Sequence, residues 1–172
     1  ERITEKTFDE IFPLLEAAFP ITELRIKEEQ RKLLQEACYC LYGVRRDGRF
    51  AAVFATWEID DFLYIEHFAV KEEYRNGGYG GKLLDRLLEE KGRPMVLEVE
   101  VPEDDMTRRR VGFYERLGLT LNPYEHYQAP LNPTTGVVEL KIMSSLGGLS
   151  QEEQKAYRRI LNAEVYAVED DF

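Results

Sequence analysis

The sequence predicts an α/β fold in which helices cover both faces of a mixed, mostly antiparallel sheet of six or seven strands. Segments typical of strands follow one another between residues 39 and 70, separated by turn residues. Segments with helical spacing of apolar residues lie before, between and after the predicted strands. Because the chain has 172 residues, the usual length of one domain, we expect a single domain over residues 1–172.

The composition excludes several classes of protein. With 44% hydrophobic and 33% charged residues, it is typical of a globular protein. The net charge of −10 argues against a nucleic-acid partner, because phosphate binding requires clustered Lys and Arg. No segment approaches the roughly 20 apolar residues of a membrane span, and the first residues do not resemble a signal peptide. We therefore expect a cytoplasmic protein with no membrane partner.

Two helices are predicted at the N-terminal end. Thr7 and Glu10 have the spacing of a capping box, and the apolar residues behind them predict a helix that ends near Phe19. Pro20 separates it from a second predicted helix, near residues 22–37, whose apolar stripe is thin. A helix of that kind is suited to lie over a binding groove.

An antiparallel meander follows these helices. Its strands and turns are predicted, in chain order, at residues 39–44, Arg46-Asp47-Gly48, residues 50–59, Asp60-Asp61 and residues 62–70. At its start, Cys38 and Cys40 are expected to be reduced structural thiols, because no further Cys or nearby His completes a metal site. We predict no metal.

Helices and strands alternate in the rest of the chain. A leucine-rich helix from Gly80 to Lys91 ends at the stop signals Gly92 and Pro94. The further elements are a buried strand at 95–101, a helix at 107–117, strands at 119–129 and 137–143, and a final helix that begins at a Ser150 to Glu153 capping box. The apolar stripe of this last helix must cover the sheet or a partner chain.

The segment from Tyr74 to Gly81 lies between a predicted strand and the leucine-rich helix, and four of its last five residues are glycines. Without Cβ atoms, successive N–H groups of such a turn can converge on an anion, which the helix N-terminus also attracts. Arg75, Lys71 and Lys82 add positive charge, so a diphosphate is the natural ligand. The Walker and Rossmann phosphate motifs are both excluded by Leu83. Taken alone, the segment is equally compatible with a plain turn.

Two motifs resemble the GCN5-related N-acetyltransferase (GNAT) superfamily. Arg75, Gly78 and Gly80 match its pyrophosphate signature, Arg/Gln-x-x-Gly-x-Gly/Ala. Phe113-Tyr114-Glu115-Arg116-Leu117-Gly118-Leu119 matches its aromatic-Tyr-x-x-x-Gly-hydrophobic helix end. The resemblance covers residues 1 to about 145, the expected core, and leaves residues 146–172 as a C-terminal helical extension. The chain departs from the superfamily at Thr107 and Arg110, where Asn and Ala often face the pantetheine arm.

The resemblance implies a GNAT-like sheet that is split at its centre by acetyl-CoA. Strands 62–70 and 95–101 should begin side by side and then separate, so that pantetheine pairs with the free edge. The residues that the resemblance assigns to cofactor binding are Phe68, Ala69, Val70, Arg75, Asn76, Gly77, Gly78, Tyr79, Gly80, Gly81 and Lys82.

Transfer of an acetyl group to an amine requires a neutral nucleophile and a proton for the departing thiolate. Tyr114 stands where the superfamily has its usual general acid, and a phenol with a pKa near 10 is protonated at neutral pH. The alternative role for Tyr114 is a core tyrosine packed beside Phe113.

Glu66 is the first candidate for the base that removes a proton from the substrate ammonium. We expect it to share a strand face with Tyr64 and Phe68, with its pKa raised by partial burial, whereas His67 should point to the opposite face. A hydrogen-bonded structural carboxylate is the alternative role for Glu66.

Other polar residues are expected near the amine. Glu98 and Glu100 share one face of the neighbouring strand, where they either bind a cationic acceptor or form a solvated face. His126 lies in an aromatic segment near the expected acceptor mouth.

The function that we expect is acetylation of a small-molecule primary amine by direct attack on acetyl-CoA, through a tetrahedral intermediate and without a metal. Two alternatives stay open: acetylation of a protein or peptide N-terminus, and a catalytically silent acyl-CoA-binding module. The sequence also leaves open whether the chain forms a homodimer.

Overall fold

A computed structural model describes residues 1–169 of the chain and confirms the α/β fold. The last three residues of the expected extension, 170–172, lie outside this description. The helices of residues 1–169 are α1 (Glu5–Ala18), α2 (Lys27–Lys32), α3 (Tyr79–Lys91), α4 (Asp105–Arg116) and α5 (Gln151–Glu164). The strands are β1 (Tyr39–Arg46), β2 (Arg49–Ile59), β3 (Phe62–Val70), β4 (Met95–Glu100), β5 (Thr120–Leu121), β6 (His126–Gln128) and β7 (Val138–Ser144).

The strands form one seven-stranded sheet in the order β1-β2-β3-β4-β7-β5, with β6 also paired to β7. Every pairing is antiparallel except that of β3 with β4, which is parallel and joins Leu63 to Met95, Tyr64 to Val96 and Ile65 to Leu97. Beyond Ile65 and Leu97 the two strands are not paired. The predicted separation of two central strands is therefore confirmed.

A β-bulge interrupts β3 at Glu66. The pairing register between β2 and β3 passes from Ala55 opposite His67 to Thr56 opposite Ile65, which leaves Glu66 as an extra residue. The alternation of side chains fails at such a point. Tyr64 belongs to the core on one face of the sheet, whereas Phe68 packs against the core on the other.

Glu66 and His67 both lie on the same face as Tyr64. Glu66 binds Arg25, whose guanidinium lies over the Trp57 ring in that core, and the His67 ring packs against Phe19 after α1. Two expectations are therefore wrong: Tyr64, Glu66 and Phe68 do not share one face, and His67 does not point away from Glu66.

Two hydrophobic layers enclose the sheet. On one face, apolar residues of α1 and α5 pack on the sheet, including Phe8, Ile11 and Leu161. On the other face, α3 and α4 contribute Leu84 and Val111. The final helix thus covers the sheet of its own chain, one of the two roles expected for it. Among residues 1–169, no helix is both long and apolar enough to cross a membrane.

The helical boundaries differ from the predictions at the N-terminal end. The first capping box joins Thr4 and Thr7, one turn earlier than predicted. The predicted helix at 22–37 is broken into a 3₁₀ turn (Ile21–Glu23), the short α2 and a second 3₁₀ turn (Leu33–Gln35). Leu24 and Arg25 are buried between these pieces, with Leu24 extended, so tertiary burial prevails over helical propensity here.

The predicted strand at 119–129 is also divided, into β5 and β6. Between them, the buried Asn122 side chain accepts a hydrogen bond from the Leu149 amide at 2.7 Å and donates one to the Ile142 carbonyl at 3.2 Å. These bonds hold the connecting segment against β7 and the start of α5 without strand pairing.

Replacing Gly43 of β1 with Ala should destabilise the fold by about 1–3 kcal/mol, because it overpacks the contact between β1 and α1. A Cβ atom at Gly43 would lie 2.3 Å from the Phe50 ring and 2.7 Å from Ile11 Cδ1. The free energy of unfolding in urea measures the effect. The control is Gly136→Ala, where a Cβ meets no described atom within 4 Å. Equal stability of the two variants would contradict this packing.

Candidate active site

A cleft of about 710 Å³ opens where β3 and β4 separate. The bulged part of β3, the end of β4, the start of α3, and α4 line it, and the segment after α1 borders it. The residues that the sequence analysis assigned to catalysis and cofactor binding all line this cleft, with the exception of Gly77 and Lys82. Lys71 and His126 do not line it. One cavity therefore brings together side chains that are more than 40 residues apart in the chain.

The start of α3 forms one end of the cleft. None of the backbone amides of residues 76–81 has a hydrogen-bond acceptor within the described part of the chain. The first bond of α3 runs from the Lys82 amide to the Gly78 carbonyl at 3.1 Å. Six successive donors at a helix N-terminus, where the helix dipole is positive, are suited to bind a diphosphate.

The glycines of this segment have different structural roles. Gly78 caps α3 in the left-handed conformation, with φ of 69°, and a Cβ there meets no described atom within 4 Å. Gly80 instead allows close packing, because a Cβ there would lie 3.3 Å from Phe68 Cζ and 3.4 Å from Val70 Cγ2. The Nε of Arg75 donates to the Val70 carbonyl at 2.7 Å and ties the segment to the end of β3.

Tyr114 combines a core position with access to the cleft. Its ring contacts the Phe113 ring edge-on, with centroids 5.1 Å apart, and it belongs to the core between the sheet and α4. Its hydroxyl has no hydrogen-bond partner among residues 1–169. Burial raises the pKa of Tyr114 to about 12, although the positive charge of Arg110 opposes this. The phenol therefore keeps its proton at neutral pH and is free to donate it to a ligand.

Glu66 lies at the cleft but is engaged in a buried ion pair. Arg25 Nη1 lies 2.5 Å from Glu66 Oε1, and Arg25 Nη2 donates to the Val165 carbonyl at 2.8 Å. Burial acts to raise the pKa of Glu66, but the Arg25 charge and the adjacent His67 lower it to about 2. The expectation of a raised pKa is wrong, because the sequence did not reveal Arg25 as the partner. A carboxylate that is so acidic is a poor proton acceptor.

His67 connects the bulge to the segment after α1. Its Nε2 lies 2.7 Å from the Glu23 carbonyl oxygen and donates to it, while its Nδ1 lies 3.5 Å from Glu66 Oε2. The side chain of Glu23 itself lines the cleft. Sequence analysis missed both Glu23 and Arg25, since neither belongs to a motif and both were assigned to a continuous helix.

Glu98 is the centre of a buried hydrogen-bond network. Its Oε2 accepts from Tyr64 Oη at 2.5 Å and from Gln128 Nε2 at 3.1 Å, and the carboxylate also binds the Tyr166 hydroxyl and His126 Nε2. Burial acts to raise the pKa of Glu98, but the bonds from His126 and the two tyrosines lower it. A solvated face is therefore wrong for Glu98.

The residues that follow α5 contact the site from the face of the sheet that α1 and α5 cover. Tyr166, two residues after α5, lies 2.8 Å from the Tyr64 hydroxyl and accepts from Gln128 Nε2 at 3.1 Å. Together with the Val165 carbonyl that binds Arg25, it ties the last helix to both central strands. No pattern in the sequence indicated this contact, because it depends on where α5 ends relative to the sheet.

Comparisons with known proteins place the chain among acetyltransferases. Residues 5–119 match the family model described as "Acetyltransferase (GNAT) family". The chain is 37% identical over 100 residues to the "Putative acetyltransferase YjbC" of Bacillus subtilis (strain 168), an alignment covering 57% of this chain and 50% of the relative. The chain thus spans about half the length of that curated relative.

Solved structures are similar over more of the chain. A "Putative acetyltransferase from GNAT family" from Bacteroides thetaiotaomicron is 33% identical, with a TM-score of 0.88 and coverage of 98% of each chain. Arabidopsis thaliana NAA60 in complex with acetyl-CoA has a TM-score of 0.62 at 13% identity, covering 84% of this chain and 95% of that one. The second likeness shows the fold alone.

The substitution Arg25→Met should destabilise the protein by about 3–5 kcal/mol at pH 7, because it leaves the Glu66 carboxylate buried without its cation. The double variant Arg25→Met/Glu66→Met should recover most of this loss, since it removes both charges. Urea unfolding of the parent and both variants measures the difference. A double variant no more stable than the single one would show that the charge of Glu66 is not the cause.

The same carboxylate predicts opposite pH dependences for the parent and Arg25→Met. In the parent, the folded pKa of about 2 lies below the ordinary 4.5. The stability that Glu66 contributes is therefore complete above about pH 4.5 and is lost as the pH falls towards 2. In Arg25→Met, burial without the cation favours the neutral acid, so acidification should reduce the deficit relative to the parent.

Proposed function

Since the chain belongs to the acetyltransferase (GNAT) family, we propose that it transfers an acetyl group from acetyl-CoA to a primary amine of a small molecule. The observation that carries this proposal is the run of six unpaired amides at residues 76–81, because five of these residues line the same cleft as Tyr114. The family match supports acetyl-CoA as the acetyl donor. The geometry of the cleft supports a binding place for its pyrophosphate, its pantetheine arm and its thioester.

The amides of residues 76–81 would hold the pyrophosphate. Their N–H groups have no acceptor among the described residues, so binding an anion satisfies donors that otherwise depend on water. Gly78 supplies the left-handed turn that brings these donors together, and Arg75 is anchored to the end of β3 beside them. The donor set has the chemistry that a diphosphate requires.

The free edge of β3 would bind the pantetheine arm. From Glu66 to Val70, β3 has no strand partner on the side of β4 within the described part of the chain, because the parallel pairing ends at Ile65 and Leu97. Amide groups of an extended ligand can pair with such an edge. This directs the thioester from the α3 end of the cleft towards Tyr114 and towards Glu23, Glu66 and Glu98, which also line the cleft.

Tyr114 would protonate the departing thiolate. The amine nitrogen attacks the thioester carbonyl, the carbon–sulfur bond breaks, and the phenol supplies a proton to sulfur. The raised pKa of Tyr114, about 12, keeps this proton in place until the thiolate forms. A silent acyl-CoA-binding module would have no use for an unpaired hydroxyl at this position.

We also propose that residues 1–172 form one domain. Leu161 of α5 and Val165 directly after it share a core with α1 and the sheet, and Tyr166 binds the central strands. This extension beyond the matched residues 5–119 therefore belongs to the site as much as to the fold.

Coenzyme A should raise the melting temperature of the protein, and Gly78→Leu should remove this shift. A ligand at about 100 times its Kd adds roughly 2.7 kcal/mol of stability. Leucine at Gly78 projects into the open space before the unpaired amides and obstructs the anion. Differential scanning fluorimetry with coenzyme A measures the shift.

Gly92→Leu is the matched control for this variant. Gly92 ends the same helix in the same left-handed conformation, with φ of 60°, and a Cβ there also meets no described atom within 4 Å. Both variants carry a similar strain of about 1–2 kcal/mol, but only Gly92→Leu should keep the response to coenzyme A. A normal shift in Gly78→Leu would show that the pyrophosphate binds elsewhere.

Tyr114→Phe should lower kcat by about 10²-fold while leaving coenzyme A binding intact, because it removes the proton donor and keeps the packed ring. The rate is measured as free thiol release from acetyl-CoA with a panel of amines and a peptide with a free N-terminus. Tyr157→Phe, on α5 and outside the cleft, serves as control. A kcat within about twofold of the parent, with chemistry rate-limiting, would exclude Tyr114 as the acid.

A further inference from the structure

Among residues 1–169, four carboxylates line the cleft, and they differ in their partners. Glu66 is paired with Arg25, Glu98 with His126 and two tyrosines, and Glu100 with Arg110. The fourth, Glu23, has no ion pair or hydrogen bond to its carboxylate from any described residue. An ammonium group that enters the cleft therefore meets one carboxylate whose charge is not already matched.

Glu23 is held at the cleft by its own backbone. It ends the 3₁₀ turn Ile21–Glu23, and the next two residues, Leu24 and Arg25, are buried with 6% and 8% exposure. Its carbonyl oxygen accepts a hydrogen bond from His67 Nε2 at 2.7 Å, and Arg25 is anchored to Glu66. The half-buried carboxylate is thus presented by a fixed segment, beside the bulge that begins the free edge of β3.

The surroundings of Glu23 make its carboxylate a stronger base than an exposed glutamate. Burial raises the pKa of this carboxyl, and the negative charges of Glu100 and Glu98 on β4 act in the same direction. Arg110 on α4 and His67 on β3 oppose them, but the net direction is upward. Glu66, by contrast, has a pKa lowered to about 2. A general base is most effective when its pKa lies near the working pH, which favours Glu23 over Glu66.

We propose that Glu23, and not Glu66, accepts the proton of the acceptor's ammonium group. The inference rests on the proposed acetyl transfer. Glu23 takes one proton from the ammonium, and the neutral amine forms the carbon–nitrogen bond as the carbon–sulfur bond breaks. Sulfur receives the Tyr114 proton, and the second proton of the nitrogen restores the phenol. The proton on Glu23 then passes to solvent, so the reaction releases one proton in total.

The charge of the cleft also defines the acceptor. Three of the four cleft carboxylates are matched by cations or hydrogen-bond donors. The part of the cleft that they line, where the acceptor would bind, therefore offers one unmatched negative charge, that of Glu23. Such a site is complementary to a single primary ammonium group. An acceptor that carries a carboxylate next to its amine would place two negative charges side by side in a partly buried site, which is unfavourable.

The test is the pH profile of kcat/KM for the parent, Glu23→Gln and Glu23→Asp, measured by thiol release with the best amine of the panel. At neutral pH, Glu23→Gln should lose about 10²-fold or more. The deficit should shrink as the pH approaches the pKa of the amine, roughly 10, because a neutral amine needs no base. Glu23→Asp should keep the acidic limb of the profile. A purely structural role of Glu23 predicts the same deficit at every pH.

A second acceptor separates proton removal from binding. An analogue of this amine with a trifluoromethyl group on the carbon that bears the nitrogen is largely neutral at pH 7, so its acetylation by Glu23→Gln should approach its acetylation by the parent protein. Glu28→Gln, an exposed residue on α2, is the control and should behave as the parent with both amines. Binding of coenzyme A, followed by its thermal shift, should be unchanged in all these variants.

Each outcome decides between the two proposals. If the parent acetylates an amine and Glu23→Gln matches its rate and profile, Glu23 is not the base and the acetyl transfer stands. An equal loss with both amines at all pH values likewise overturns the role of Glu23. If the parent releases no thiol with any amine although it binds coenzyme A, both the acetyl transfer and the role of Glu23 are wrong.

Discussion

The parallel pairing of β3 with β4 stops after Ile65 and Leu97. The rest of the site depends on this separation of the two strands. Beyond Ile65 and Leu97, β3 stays paired with β2 and β4 with β7, but the sides of β3 and β4 that face each other have no strand partner among residues 1–169. The sheet therefore offers a free edge inside the molecule instead of at its border. The cleft forms at this point and brings the start of α3, the α4 tyrosine and the segment after α1 within reach of one ligand. Without the separation, these parts would lie on opposite faces of a closed sheet.

The bulge at Glu66 lies directly after Ile65, the last residue of β3 that pairs with β4. By adding a residue to the strand, it places Glu66 and His67 on the α1 face, where they bind Arg25 and the Glu23 carbonyl. A continuous strand would have directed one of the two towards α4. The bulge thus determines which elements meet the cleft, and it explains why the segment after α1 is held there instead of forming a helix.

Buried charged side chains hold the elements around the cleft together. The desolvation of these charges is unfavourable and is offset by their ion pairs and hydrogen bonds. Desolvation of a carboxylate is unfavourable, and Glu66 and Glu98 remain ionised because Arg25, His126 and tyrosine hydroxyls surround them. Removal of one partner is therefore more damaging than removal of the pair. Arg25 and Tyr166 also connect the last helix to the central strands, so that the part of the cleft lined by Glu66 and Glu98 depends on residues at both ends of the described chain.

The sequence by itself determined the local features of this protein. Turn residues and alternation predicted β1 to β3, leucine spacing and Gly92 predicted α3, and the glycine segment at 76–81 predicted the donors at its start. Each of these features depends on neighbours within a few residues, where backbone conformation and side-chain period are set by the chain itself. The position of Tyr114 in the cleft was implied by the resemblance of residues 113–119 to the GNAT superfamily.

Only the tertiary structure decided which charged groups are free to react. Glu66 and Glu23 are the same residue type, and their sequence neighbours do not distinguish a buried ion pair from an unmatched carboxylate. The difference comes from Arg25, which lies 41 residues from Glu66 in the chain, and from a bulge that places His67 on the same face as Glu66. A pKa depends on burial and on charges brought close in space, so it is a property of the fold, which no local pattern in the sequence could specify.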